Sequence, residues 1–258
     1  MTAQGKEHGQ IKVVRGNELD PNTNQTDHLP RRTGVDAPNL WMGKVVGEPH
    51  EDSGAHHHGE AETAGYVLSG RTRILYGEGF TKYVDLEPGD FIYVPPYVPH
   101  IERNLYDEPV VFITARNPGN IVVNLETEEE IEEAFRRPGL KEPVVVRAAE
   151  LDARTDQTHN LPRKTGVDAP NLWMGKVSGA PKGDSGAHHH GEAETAGYVL
   201  SGSTRILYGD RFEQYVDLEA GDFIYVPPYV PHIERNLSDE PVVFITARNP
   251  RNVVVNLE

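Results

Sequence analysis

The sequence predicts an all-β protein: two tandem antiparallel sandwiches or barrels joined by one short helix. Three observations predict it. Apolar runs are short, and turn residues (Gly, Pro, Asn, Asp) interrupt them about every eight to twelve residues. Residues 26–126 align without a gap on residues 158–258 and differ at only 16 of 101 positions. A period that long marks two domains rather than a solenoid. Helical periodicity is confined to one stretch between the repeats.

The elements follow in order. Residues 1–10 are polar and read as a loose tail. Residues 11–15 read as a short strand, and residues 17–32, rich in Asn, Asp, Thr and Pro, as loop. Residues 40–46 form a second strand, and a Gly/Pro/Asp/Ser loop runs on to Ala55. The run 56–70 then ends in Tyr-Val-Leu-Ser-Gly, a strand closing in a turn, and residues 71–76 return. Residues 80–86 alternate as a strand does. Pro88-Gly89-Asp90 turns the chain into strand 91–94, which prolines 95, 96 and 99 break. His100 opens the next strand, and residues 110–115 and 120–125 complete the unit.

Residues 127–138 read as helix. Thr127 with Glu130 three residues later fits a capping box, acidic residues fill the first turns, and Pro138 stops it. The expected division is a first domain over 1–126, a linker helix over 127–141 and a second domain over 142–258.

Composition bounds the function. Hydrophobic residues at 37% and charged residues at 25% are those of a soluble globular protein. A formal net charge of −15 disfavours nucleic acid and anionic membrane as partners. With no cysteine there is neither a thiolate nucleophile nor a zinc–thiolate site. No apolar run is long enough for a membrane helix and no secretory leader is visible, so a cytoplasmic location is expected by elimination.

The chemistry concentrates in Gly54-Ala-His56-His57-His58-Gly-Glu-Ala-Glu62, repeated unchanged from Gly186. Internal, duplicated and set in strand-like sequence, the triplet is neither an expression tag nor a plain solvated loop. On an extended chain His56 and His58 share one face and His57 takes the other. A further histidine, His100, follows in Gly89-Asp-Phe-Ile-Tyr-Val-Pro95-Pro-Tyr97-Val-Pro-His100-Ile-Glu-Arg-Asn104.

These two stretches resemble the paired motifs of the cupin family, and the duplication makes the chain similar to a bicupin. Gly89, Pro95, His100 and Asn104 fall in register with the second motif, with Tyr97 in place of a glycine; Gly221, Pro227, His232 and Asn236 repeat it. The resemblance implies two double-stranded β-helix (jelly-roll) barrels, each with a metal in its mouth. The expected ligands are His56, His58, Glu62 and His100, and His188, His190, Glu194 and His232. One count is off: seven residues, not six, separate Glu62 from Gly70. Strand alternation then turns Thr63 inward and Glu62 outward unless a bulge near Gly65 absorbs the extra residue, and likewise for Thr195 and Glu194.

A carboxylate beside imidazoles shifts metal preference toward Mn or Fe(II); imidazoles alone also suit Zn, Ni and Cu. Two divalent ions per chain are expected. Glu102 and Glu234 share strand parity with the last histidine and are candidate general bases. Arg73 and Arg205 are candidate substrate clamps, with Arg103 and Arg116 and their repeats behind them. The resemblance implies a metal-dependent enzyme for a small organic acid or carbonyl compound, of dioxygenase, decarboxylase or isomerase type, with O₂ a possible co-substrate. The alternative is a non-catalytic binding or regulatory bicupin. Apolar area beyond one barrel's needs points to a homo-oligomer.

Overall fold

The computed structural model describes residues 9–257. The loose tail expected over 1–10 falls, as far as residue 8, outside the described residues. Each repeat folds into two facing antiparallel sheets, a jelly roll. In the first, six strands run in the order Val144–Val146, Phe91–Val94, Glu62–Ser69, Val110–Asn117, Trp41–Gly47 and Arg31–Asp36. The facing sheet runs Lys82–Leu86, Thr72–Tyr76 and Ile101–Arg103, then across a His56–His100 bridge to His56–His57 and Val123–Asn124. The second repeat has the same two sheets.

Strand Arg31–Asp36 was not expected. Its first two residues close the stretch 17–32 that reads as loop, but the strand pairs along Trp41–Gly47 as the sheet edge. Tertiary pairing overrides a weak local propensity there.

The six-stranded sheet is buried on both faces, which is why Trp41–Gly47 and Glu62–Ser69 are apolar nearly throughout rather than alternating. Trp41, Val45, Val67, Ile92 and Phe112 point between the two sheets of barrel 1. Met42, Ala64, Tyr66, Phe91 and Ile113 point the other way and pack on their counterparts Met174, Ala196, Tyr198, Phe223 and Ile245. Each large apolar side chain so buried contributes about 1.5–3 kcal/mol. The packing is close: a Cβ on Gly34 would lie 2.3 Å from the Phe223 ring, and one on Gly166 would meet Phe91 at the same distance.

The barrels also exchange strands. Lys12–Val14, at the start of the chain, pairs with Phe223–Val226 of barrel 2, while Val144–Val146, after the linker, pairs with Phe91–Val94 of barrel 1. Arg15–Asp222 and Arg147–Asp90 ion pairs, both 2.6 Å, pin the two arms. The sheets therefore do not follow the expected cuts at 126 and 142. The edges at Phe91–Val94 and Phe223–Val226 are thus each covered by a strand from the other side, which also protects them from pairing with another chain.

The helix spans Glu128–Phe135, and Thr127 caps it: its hydroxyl accepts from the Glu130 N–H at 3.2 Å and the Glu130 carboxylate from the Thr127 N–H at 3.0 Å. It lies on barrel 1, where Phe135 meets Phe80 and Arg137 stacks on Tyr97. No helix among the described residues is long and apolar enough to cross a membrane.

Candidate metal centre

Barrel 1 brings His56, His58, His100 and Glu102 together, and barrel 2 brings His188, His190, His232 and Glu234 together; one ligand atom from each lies within 4.8 Å of the others in its group. Strand geometry accounts for the set. His56 and His58 are two apart around the short strand His56–His57, so both face inward. His56 pairs across to His100, and Glu102 shares the parity of His100.

The tautomers are fixed by the backbone. His56 Nδ1 lies 3.2 Å from Gly54 O, His58 Nδ1 3.1 Å from Ile121 O, and His100 Nδ1 2.8 Å from Val98 O. A carbonyl only accepts, so each Nδ1 carries the proton and each Nε2 turns a lone pair to the centre. That is the outer support a metal-ligating imidazole needs. His56 Nε2, His100 Nε2 and Glu102 Oε2 are buried without a hydrogen-bond partner. Orphaned lone pairs are costly unless something electropositive binds them. Three imidazoles and a carboxylate thus fit a divalent cation.

Burial reinforces this. It pushes His56 down to about 3 and His188 to about 4, and His58 and His190 well below their ordinary range, so these imidazoles are neutral and free to ligate. Burial alone would raise Glu102, but His56, His100 and the Arg31 guanidinium outweigh it and keep the carboxylate ionised.

The expected role of Glu62 and Glu194 is corrected. The strand Glu62–Ser69 has its register shift at Leu68, opposite Val111 and Phe112, and none near Gly65. Thr63 therefore faces the cavity, where its hydroxyl accepts from Arg116 Nε at 3.2 Å. Glu62 faces the other barrel with Ala64 and Tyr66: its carboxylate accepts the Asn171 N–H at 2.9 Å and lies 3.4 Å from the Tyr93 hydroxyl. Glu194 mirrors it on Asn39 and Tyr225. These two carboxylates latch the barrels together. The fourth corner of each cluster is Glu102 or Glu234 instead.

The expected substrate clamps are also displaced. Arg73 lies on the outer face, paired with Asp85 at 2.7 Å and stacked over Tyr83; Arg205 does the same with Asp217 and Tyr215. Its parity on Thr72–Tyr76 is opposite to that of the buried Ile74. Arg103 pairs with Asp52 near the surface. Of the arginines anticipated, Arg116 reaches the cavity; Arg31 joins it and was missed.

Both are fully buried. One signal for Arg31 was present in the sequence: the repeat keeps it as Arg163 while changing its neighbour Arg32 to Lys164. Arg116 holds Thr63 and Asn120 and comes within 3.3 Å of His58 Nε2. Apolar Val45, Ile74, Ile92, Val94 and Phe112 complete the wall, with Thr114 among them. The enclosed space is about 30 Å³, room for roughly two or three waters.

Tyr97 and Tyr229 occupy the cupin glycine position, with φ of 63° and 61°. Each places a non-glycine residue in the left-handed region, a strain kept where surrounding structure demands it. The Tyr97 N–H donates to Gly59 O at 2.7 Å and holds this turn against the histidine strand.

Known proteins agree with this architecture. The family described as "Cupin domain" matches residues 43–116 and 176–248. Curated relatives include glucose-6-phosphate isomerases of Thermococcus onnurineus and Pyrococcus furiosus. Each is 40% identical over 78 residues, 29% of this chain and 41% of the relative. The match thus spans about two fifths of their length. Among solved structures, oxalate decarboxylase from Bacillus subtilis at pH 4.6 superposes with a TM-score of 0.72 at 20% identity, over 98% of this chain and 81% of that one. Another structure of that enzyme, studied for its Mn(II) centres, gives 0.70 at 18% identity over 97% and 81%. At such identities the likeness is one of fold.

Proposed function

This chain belongs to the cupin family, and we propose that it is a metal-dependent enzyme that decarboxylates or dioxygenates a small organic acid, with one divalent ion in each barrel. The observation that carries the reading is the cluster of His56, His58, His100 and Glu102, with the imidazole protons fixed on Nδ1 and with His56 Nε2, His100 Nε2 and Glu102 Oε2 buried without a hydrogen-bond partner. Bound there, a divalent ion such as Mn(II) or Fe(II) would supply Lewis acidity toward chelated oxygens or a site for O₂. The protein's own contribution is placement. The Nδ1–H bonds hold the imidazoles, the apolar wall excludes bulk water, and Thr63 fixes Arg116.

One feature favours these reactions over a sugar-phosphate isomerisation like that of the curated relatives: once Glu102 ligates, none of the other residues lining the cavity is a carboxylate or free imidazole that could shuttle a proton. The Mn(II) centres of the structurally similar oxalate decarboxylase support the choice of metal.

The test is to load the protein with Mn(II) or Fe(II) and follow CO₂ release and O₂ uptake with a panel of oxo-acids, dicarboxylic acids and diketones. Turnover of a small acid is expected. Two bound metals with no turnover across the panel would overturn the enzymatic reading in favour of a binding module.

A further inference from the structure

Arg31 is a guanidinium in an unusual position. It is 1% exposed, lines the metal cavity, and none of its three side-chain nitrogens has a hydrogen-bond partner. Its backbone, by contrast, is fixed on both sides by the Gln25 side chain, at 2.7 and 3.0 Å. A buried, positioned and unpaired cation is a binding element awaiting an anion. Arg116 adds a second cation on the same wall. Against these stands one carboxylate, Glu102, which the histidine cluster already claims. With a divalent ion in place the cavity holds a net excess of positive charge.

Barrel 2 relieves the same strain internally. Arg163 donates to Thr158 and, at 3.2 Å, to Asn252. Asp156, which stands where barrel 1 has Asn24, adds a carboxylate that acts on both Arg163 and Arg248.

We propose that Arg31, assisted by Arg116, is the receptor for a carboxylate of the substrate, and that barrel 1 takes this anion in preference to barrel 2. The inference rests on the small-acid reading above and narrows it to anions with a second oxygen-bearing group for the metal, a dicarboxylate or 2-oxo acid. The planar fork of Arg31 would hold the carboxylate through two parallel N–H donors.

Calorimetric titration with oxalate and with its neutral analogue oxamide tests this, on Mn(II)-loaded and metal-free protein. Wild type should bind oxalate and not oxamide. Arg31→Gln should weaken oxalate binding at least about tenfold, and Arg163→Gln much less. Asn24→Asp, on an exposed turn, gives barrel 1 the carboxylate of barrel 2 and should also weaken binding, even if Arg31→Gln fails to fold. Oxalate affinity unchanged in Arg31→Gln or Asn24→Asp, equal binding of oxamide, or an equal loss in Arg163→Gln would overturn the proposal. Arg31-dependent binding by protein that takes up no metal would leave the receptor standing and sink the metalloenzyme reading. Turnover that is indifferent to Arg31→Gln would do the reverse.

Discussion

Barrel 1 and barrel 2 carry the same four-residue cluster in nearly the same geometry. Glu102 lies 3.3 and 3.7 Å from the Nε2 atoms of His56 and His100, and Glu234 lies 3.4 and 3.6 Å from those of His188 and His232. Around the clusters the barrels diverge. Arg31 is unpaired where Arg163 is bonded. The linker helix covers Tyr97, whereas Tyr229 is 53% exposed. Strand register copies a ligand set faithfully, because it depends only on parity and pairing. The electrostatic surroundings do not copy, because one changed loop residue, Asn24 against Asp156, alters them without touching a ligand.

The sharpest way to break the comparison is to remove one cluster at a time. His100→Ala should leave one metal per chain and His232→Ala should leave the other, as elemental analysis after dialysis would read. If the barrels differ as their arginines suggest, His100→Ala costs most of the activity and His232→Ala little. Equal losses in the two variants would mean the surroundings do not matter.

A smaller effect separates the two glutamates of each barrel. Glu102→Gln should weaken metal retention by roughly one to two orders of magnitude, as loss of an anionic ligand does. Glu62→Ala should leave the metal content at its wild-type value. It removes the carboxylate bound to Asn171 and Tyr93, so about 1–3 kcal/mol of barrel docking is lost and the melting temperature falls. Metal loss in Glu62→Ala would restore that residue to the ligand set.

The smallest difference lies in pH. Burial lowers His56 to about 3 and His188 to about 4, against 6.5 ordinarily. Between those values the unfolded chain binds the proton and the folded chain does not. Stability of chelator-treated protein is therefore full above about pH 6.5 and falls on acidification, down to about pH 4 for the barrel 2 group and about pH 3 for that of barrel 1. Urea melts should show the decline, and histidine NMR should show His56 and His188 still neutral well below their ordinary range. Protonation of either near about pH 6.5 would mean that its site is open to water.

The sequence by itself determined the duplication, the all-β class, the capped helix and six of the eight cluster residues, the histidines. These are local signals: spacing, turn chemistry and strand parity. Glu102 and Glu234 were also legible as inward-facing, but only as bases, because parity places a side chain without saying how near it comes to its neighbours. Tertiary structure decided the rest. Glu62 and Thr63 sit side by side on a strand buried on both faces, so hydrophobicity could not tell which face was the cavity; docking of the second barrel on Ala64 and Tyr66 decided it. Arg31 closes the stretch 17–32, which reads as loop, so its burial follows only from pairing with Trp41–Gly47. The exchange of Lys12–Val14 and Val144–Val146 between barrels has no local signature, because any exposed sheet edge of matching polarity could accept either arm.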